Sequence, residues 1–184
     1  MTQLTGKLLD VPLNQIAIPG SHDSFTYPVT GKNQISPDAP KAIRILAKIF
    51  GRIATNIIAR WAKTQQMTTS QQLENGIRYF DVRIVIRPNG VPALAHSLYL
   101  NDLQTELSAM APFLTKNPHE VILLDFNHFY NVTDEEHRKI IEMLQQVSER
   151  MNHWESEKIF LYKFCWVYTK RIIIWKSTKE LRNN

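Results

Sequence analysis

The alternation of short apolar runs with longer amphipathic segments limits the fold of this chain more than any other feature. Apolar runs at 16–19, 77–87, 91–96 and 120–130 have the length and composition of strands. Between these runs, apolar residues recur at the spacing of one face of a helix over much of the sequence. Strands that alternate with helices usually pair in parallel, either in a closed barrel or in a doubly wound sheet.

Polar residues at the ends of these runs favour the barrel. His22 follows the first run, Asp81 and Arg83 lie in the second, and His96 ends the third. Barrel enzymes assemble their sites at the carboxyl ends of their strands. We therefore predict an α/β fold of the parallel TIM-barrel-like type. A full barrel needs ~250 residues, so the chain is expected to supply about half of one.

Strand alternation separates the second run into two faces. One face carries apolar side chains: Phe80, Val82, Ile84 and Ile86. The other carries Tyr79, Asp81, Arg83 and Val85. In the fourth run, Asp125 and Asn127 share a face, and we expect them to touch the substrate, although Asp125 fits a satisfied buried carboxylate equally well. His128 is expected to point to the opposite face and to be structural.

Charge narrows the range of partners. The formal net charge is +5, which favours nucleic acid, a phospholipid surface or a phosphorylated small molecule. The Lys and Arg residues are dispersed without interleaved aromatic residues, which argues against nucleic acid. The single cysteine, Cys165, suits a reducing compartment, and no apolar stretch reaches the ~20 residues of a transmembrane helix. We expect a cytoplasmic protein, either soluble or peripheral to membranes.

A basic amphipathic helix is predicted from Lys41 onward. Its apolar side comprises Leu46, Phe50, Ile53, Ile57 and Trp61. Its charged side includes Lys41, Arg44, Lys48 and Arg52. The pattern fits a helix whose apolar side faces the core, which we favour, and it also fits docking of the helix on an anionic membrane.

Two histidines and one arginine match the needs of phosphodiester cleavage by internal attack. This reaction requires a base for the attacking hydroxyl, an acid for the leaving oxygen and positive charge at the phosphate. With neighbouring strands ~4.8 Å apart, His22 and His96 would flank a phosphate held by Arg83. Asp23 and Asp81 are the nearby carboxylates that could orient these groups.

Four ordered motifs carry a resemblance to a known family. IPGSHDSFTY, GIRYFDVRI, AHSLY and EVILLDFNHFY resemble the X-box of phosphatidylinositol-specific phospholipase C, especially the eukaryotic X-domain-containing proteins. The resemblance implies a phosphoric diester hydrolase of lipid metabolism that acts on phosphoinositide-like lipids at a membrane surface. It assigns residues 8–151 to the N-terminal part of the catalytic domain and leaves 152–184 as a divergent or truncated segment.

The resemblance also implies a role for each residue of the site. His22 would activate the inositol 2-hydroxyl, and His96 would protonate the departing diacylglycerol oxygen. Asp23 would pair with Arg83 and His96, while Asp81 would support His22 and the substrate hydroxyl. The Asp81-x-Arg83 pattern resembles the bacterial type, in which a guanidinium replaces a metal, so we expect no cofactor. Calcium is the less favoured alternative, because it needs six to eight oxygen ligands.

Two alternative functions follow from the same residues. Since the family's domain continues through a second half, the chain could be a truncated, non-catalytic form that binds membranes or regulates a full-length relative. A glycerophosphodiester phosphodiesterase is disfavoured, because such proteins use a different histidine motif with metal-binding carboxylates.

Overall fold

The computed structural model describes residues 11–12, 15–117, 120–151, 159–166 and 169–176, with side chains as far as residue 146. The helices are α1 (Lys41–Ala62), α2 (Thr69–Glu74), α3 (Leu103–Lys116) and α4 (Asp134–Met151). The strands are β1 (Gly20–Ser21), β2 (Tyr79–Ile86), β3 (Pro92–His96), β4 (Leu98–Asp102), β5 (Leu123–Tyr130), β6 (Ile159–Trp166) and β7 (Thr169–Lys176).

All seven strands form one mixed sheet with the order β4-β3-β2-β5-β7-β6, and β1 pairs with β2. The α/β class is confirmed, and the sheet is consistent with about half of a barrel. The expectation of purely parallel pairing is wrong: β1–β2 and β2–β5 are parallel, whereas the other pairs are antiparallel. The turn between β2 and β3 is too short for the crossover that parallel strands require.

A hairpin that the sequence did not predict follows β3. His96 pairs with Leu98, and Ser97 between them has φ 60°. The chain therefore reverses direction within a single residue after His96. This reversal places His96 at the end of β3, directly before the turn.

The first predicted strand lies further along the chain than expected. Only Gly20 and Ser21 pair, opposite Tyr79 and Phe80 of β2, and the apolar run before them is exposed or half-buried. This short parallel pair is enough to place the following loop, which carries His22, beside β2.

The predicted alternation of β2 is confirmed. Phe80, Val82 and Ile84 are buried in the main core, where α2, α3 and α4 contribute Leu73, Leu107, Met110, Ile140 and Leu144. On the opposite face, Val85 packs in a smaller cluster with Ala93, Ala95 and Tyr99. One face of the strand therefore builds the core, and the other is left to Asp81 and Arg83.

The C-terminal segment contributes two strands. β6 and β7 form an antiparallel hairpin that joins the sheet through β5. Both strands are rich in aromatic and β-branched residues, which favour extended structure. Residues 152–158, 167–168 and 177–184 of this segment lie outside the described residues.

Helix α1 does not bury the side that the sequence favoured. The predicted core-facing residues are all exposed: Leu46 45%, Phe50 55%, Ile53 70%, Ile57 49% and Trp61 76%. The buried residues of α1 are Ala54, Ile58, Ala59 and Ala62, mostly small side chains. Gly51 breaks the helix with φ 52° and ψ −125°. After Gly51 the row of Ala54, Ile58 and Ala62 packs against the chain, whereas the neighbouring row of larger apolar residues does not. Amphipathicity alone does not show which of two adjacent apolar rows packs.

A buried carboxylate ties α2, α3 and the loop after His22 together. Glu106 is fully buried and accepts hydrogen bonds from Tyr27 Oη (2.7 Å), Asn101 Nδ2 (2.6 Å) and Thr69 Oγ1. Burial and the neighbouring Glu106 raise the pKa of Tyr27 to about 12. These contacts connect Tyr27, which lies in the loop that carries His22, to α2 and α3.

We expect Glu106→Ala to lower the free energy of unfolding by about 3 kcal/mol, because it leaves one buried and two half-buried donors without their acceptor. Urea titration followed by circular dichroism measures the change. The matched control is Glu135→Ala, which removes a fully exposed glutamate of α4 and should leave the unfolding midpoint where it is. Equal effects of the two substitutions would contradict the structural role of Glu106.

Candidate active site

The loop after β1 is fixed to β2 by three hydrogen bonds. Asp23 N donates to Asp81 Oδ2 (3.0 Å), Ser24 N donates to the Asp81 carbonyl (3.2 Å), and Asp81 N donates to Ser24 Oγ (2.8 Å). Asp23 has φ 46°, a left-handed conformation that aspartate adopts more readily than most residues. The loop therefore holds Asp23 and the adjacent His22 over the polar face of β2.

Asp23 lies at the centre of the candidate site. Its Oδ1 is 2.5 Å from Arg83 Nε, and its Oδ2 is 3.2 Å from His22 Nε2 and 3.5 Å from His96 Nε2. The Asp23 side chain is only 3% exposed, whereas that of His22 is 73% exposed. The structure thus brings the two predicted histidines and the predicted arginine together around one buried carboxylate.

Asp81 forms a second bridge within the cluster. Its Oδ2 is 3.0 Å from His22 Nδ1 and 3.4 Å from Arg83 Nη2, and its Oδ1 accepts from Asn127 Nδ2 (2.8 Å). Burial opposes ionisation of Asp81, but the Asp23 N–H, Asn127 and Arg83 outweigh it and lower the pKa of the carboxyl. Asp81 therefore stays ionised beside His22.

His96 is oriented by the end of α1. Its Nδ1 lies 2.9 Å from the Ala62 carbonyl, which can only accept, so Nδ1 carries a proton and Nε2 faces Asp23. Gln65 Nε2 also donates to the His22 carbonyl at 2.7 Å. The end of α1 and the residues after it thus hold both histidine-bearing segments.

Asp125 and Asn127 lie on the same side of β5, as predicted, but at different depths. Asp125 is 3% exposed, and its Oδ2 accepts from Tyr79 Oη and from Asn127 Nδ2 (3.4 Å). Asn127 is half-buried and bridges Asp125 to Asp81. Oδ2 of Asp125 therefore has donors of its own, whereas the buried Oδ1 has no hydrogen-bond partner among the described residues. Contact of either residue with substrate stays a prediction.

The expectation that His128 points away from the site is wrong. The β2–β5 register shifts after Val82, so that Val82 pairs with Phe126 and Arg83 pairs with His128. The irregularity places His128 on the same side as Asn127, and its ring stacks on Tyr130 with centroids 5.8 Å apart. Strict alternation cannot reveal such a bulge.

Two residues near the cluster were missed by sequence reasoning. Tyr130 packs beside Val85 on the polar side of β2; burial raises the pKa of its phenol, and the nearby Arg83 cation opposes that rise. Asp38 is half-buried, accepts from Ser97 N (2.6 Å), and has a pKa raised by burial and opposed by His96 and Arg83. Asp38 lies in an irregular Pro- and Gly-containing stretch, which gives no periodic signal, and Tyr130 was concealed by the bulge.

Cation binding at this cluster has one candidate ligand set within the described part of the chain. Donor atoms of His22, Asp23 and Asp81 lie within 4.8 Å of one another. Arg83 contacts both carboxylates, and its guanidinium therefore competes for the position a metal ion would take. A hard cation would also need several further oxygen ligands.

We expect Asn127→Ala to move acid unfolding to higher pH. A carboxyl whose pKa is lowered by folding contributes stability above its ordinary pKa and loses it as the pH falls through the folded value. Asn127 donates to Asp81, so its removal should bring the folded pKa back toward the ordinary value and weaken this contribution. Circular dichroism as a function of pH measures the midpoint.

The matched control for this change is Asn89→Ala, in the exposed turn between β2 and β3. It should leave the acid midpoint unchanged. An unchanged midpoint in Asn127→Ala as well would show that this amide does not support the charge on Asp81.

The predicted membrane-surface residues lie apart from the cluster. Lys41, Arg44, Lys48 and Arg52 are exposed along the first half of α1 and its continuation past Gly51. Within the ranges that the structure describes, no helix combines the length and the apolar character that a bilayer span needs.

Comparison with known proteins identifies relatives along most of the chain. PI-PLC X domain-containing protein 3 of Danio rerio is 37% identical over 150 residues, which cover 80% of this chain and 47% of that protein. PI-PLC X domain-containing protein 2 of Homo sapiens is 38% identical over 196 residues, which cover 97% of this chain and 64% of that protein. No family model matches the sequence.

Two solved structures of the S. aureus phosphatidylinositol-specific phospholipase C are also similar. One has a TM-score of 0.49 and 24% identity, covering 69% of this chain and 37% of the other. The second has a TM-score of 0.47 and 20% identity, covering 84% of this chain and 42% of the other.

The curated relatives are longer than this chain. It spans 47% of the Danio rerio protein 3 and 64% of the human protein 2, with identity spread over 80% and 97% of its own length. The human protein 3 is 35% identical over the same share as its Danio rerio counterpart. On these similarities, the chain belongs to the family of PI-PLC X domain-containing proteins.

Proposed function

We propose that this chain is a phosphoric diester hydrolase of the phospholipase C type, which acts on phosphoinositide-like lipids. The observation that carries the proposal is the buried Asp23 carboxylate, which holds His22, Arg83 and His96 within 3.5 Å of its oxygens. A base, an acid and a fixed cation within one cluster are the groups that phosphodiester cleavage needs.

His22 is the base of the proposed reaction. It accepts the proton of the substrate hydroxyl next to the phosphodiester, and the hydroxyl oxygen forms a new bond to phosphorus. Both ring nitrogens of His22 contact carboxylates, so one contact, with Asp23 or with Asp81, must open to admit the hydroxyl. The 73% exposure of the ring leaves room for that rotation.

His96 is the acid. As the bond from phosphorus to the diacylglycerol oxygen breaks, protonated Nε2 gives its proton to that oxygen. The Ala62 carbonyl holds Nδ1, which keeps Nε2 directed toward the cluster. The products are diacylglycerol and a cyclic phosphate, which water can open later with the two histidines in exchanged roles.

Arg83 is the phosphate clamp. Its guanidinium is 19% exposed and is held between Asp23 and Asp81, so its direction is fixed before substrate arrives. A preorganised cation stabilises the negative charge that develops on the phosphate oxygens without reorganising during the reaction. This arrangement supports a mechanism that needs no calcium.

The test is cleavage of phosphatidylinositol in vesicles by the protein after treatment with EDTA. We expect release of diacylglycerol and inositol cyclic phosphate at the same rate with and without the chelator. Cleavage that stops with EDTA and returns with calcium would contradict the proposed role of Arg83.

The exposed apolar side of α1 supports docking on a membrane, with or without catalysis. Ile49 and Ile53 are 68% and 70% exposed, and Trp61, at 76%, precedes the residue that contacts His96. Large exposed apolar residues flanked by cations are typical of helices that lie at an anionic bilayer surface. Vesicle binding without turnover would favour the non-catalytic form of this proposal.

A further inference from the structure

A groove runs between the segment 31–35 and helix α1. It has a volume of about 470 Å³, and α1 lines it with Arg44, Ala47, Lys48, Gly51, Arg52 and Thr55. We call it the basic groove. Its volume lies within the range of ~300 to 1,000 Å³ that small-molecule sites occupy. A phosphorylated headgroup therefore has room in it.

The lining of the basic groove is positively charged. Among the described residues, Lys32, Arg44, Lys48 and Arg52 contribute to it, and no acidic residue does. The sequence from 39 to 73 contains six Lys or Arg residues and no Asp or Glu. Among the side chains that the structure describes, no carboxylate lies within 4.0 Å of these four cations. Their mutual repulsion is unrelieved within the described chain, which favours an anion.

The wall opposite α1 is fixed by hydrogen bonds. Asn33 Nδ2 donates to the Tyr99 carbonyl (2.6 Å), Tyr99 N donates to the Gln34 carbonyl (2.9 Å), and Thr55 Oγ1 donates to the Gly31 carbonyl (2.9 Å). A Cβ on Gly31 would lie 3.0 Å from the Asn56 backbone Cα and still closer to the Asn56 side chain, so the segment packs tightly against α1 at this point. The groove is therefore formed before any ligand binds.

The position of the basic groove favours a ligand in a membrane. The exposed residues Ile45, Ile49 and Ile53 belong to the same stretch of α1 as the groove. When these side chains insert into a bilayer, the lipid headgroups therefore lie next to the groove. The groove is also separate from the catalytic cluster: Arg52 precedes Ala62, which contacts His96, by ten residues, about 15 Å along a helix.

We propose that the basic groove binds the phosphate of an anionic phospholipid headgroup, as a site distinct from the one formed by the two histidines. This inference rests on the membrane docking proposed for α1. It does not depend on catalysis, because the groove residues take no part in the cluster around Asp23. The headgroup would fix the orientation of the chain on the bilayer.

The experiment compares two double substitutions on α1 that remove the same charge. Lys48→Ala with Arg52→Ala empties the groove of two cations, whereas Lys41→Ala with Arg60→Ala removes two cations of α1 that do not line it. Binding to phosphatidylcholine vesicles that contain phosphatidylserine is measured by sedimentation. We expect the groove pair to weaken binding about tenfold more than the control pair.

Each other outcome overturns a different part of the account. Equal losses in the two pairs would show diffuse attraction and overturn the groove alone. Wild-type protein that does not bind the vesicles at all would overturn the docking of α1 and the groove with it. In a second arm, inorganic phosphate is titrated without vesicles while thermal unfolding is followed. Phosphate could stabilise the wild type saturably, and the groove pair could lose this stabilisation while it still binds vesicles as the wild type does. That result would assign the groove to a free anion instead.

Discussion

Replacing His96 with alanine is expected to slow phosphatidylinositol cleavage by about 10² to 10⁴-fold, the usual contribution of a positioned acid or base. His22→Ala should cause a loss of similar size. The two losses have different causes, because His22 acts on the attacking hydroxyl and His96 acts on the leaving oxygen. Thermal unfolding of both variants shows whether the fold is retained.

A substrate with a better leaving group separates these two roles. An inositol phosphodiester with a nitrophenyl leaving group needs no proton on the departing oxygen. His96→Ala should therefore recover most of its rate on this substrate, whereas His22→Ala should not. Recovery by both variants, or by His22→Ala alone, would contradict the assigned roles, and activity that survives both substitutions together would remove the mechanism.

Replacing Ile49 and Ile53 with glutamate is expected to weaken binding to anionic vesicles by at least about 100-fold. Full burial of one isoleucine contributes roughly 1.5 to 3 kcal/mol, and the glutamates add repulsion from the anionic surface. Both side chains are more than two-thirds exposed, at 68% and 70%, so their replacement should leave the fold intact. Vesicle sedimentation measures the loss.

The matched control places the same two charges elsewhere. Thr105→Glu with Thr115→Glu introduces glutamates at exposed positions of α3 and should affect vesicle binding only weakly. Unchanged binding in the isoleucine variant would show that α1 is not the docking surface. Analytical ultracentrifugation of the wild type tests whether a second copy of the chain covers this face instead.

Local patterns in the sequence predicted the strands that carry the site. Alternation in β2 correctly placed Asp81 and Arg83 on the face opposite the core residue Phe80. The prediction holds because a strand with one buried face cannot shift by one residue without exposing its apolar side chains. Thr133 and Glu136 have the spacing of a capping box in the sequence, and both of its hydrogen bonds are present at the start of α4.

Two irregular features of the sheet could not be predicted from the sequence. Parallel pairing was inferred from the order of strands and helices, but the single-residue reversal at Ser97 creates an antiparallel hairpin without a Gly or Pro signal. The shift after Val82 moved His128 to the site, because one extra residue on β5 changes the face of all that follow. Neither event has a local pattern that alternation alone would reveal.

The local sequence pattern also does not show which side of α1 packs against the rest of the chain. Amphipathicity shows that a helix has two faces, but it does not show what covers them. In α1 the small residues Ala54, Ala59 and Ala62 pack against the rest of the chain, whereas the larger apolar residues stay exposed. A membrane partner for those residues was weighed from the sequence and becomes the favoured proposal once their exposure is known.

The most direct test of the catalytic proposal is a crystal structure with a non-cleavable phosphonate analogue of phosphatidylinositol bound. We predict that the phosphonate oxygens contact Arg83 and His96, and that the inositol 2-hydroxyl lies within hydrogen-bond reach of His22, about 2.6 to 3.2 Å. An analogue that binds elsewhere, or that leaves Arg83 in contact only with Asp23 and Asp81, would contradict the account.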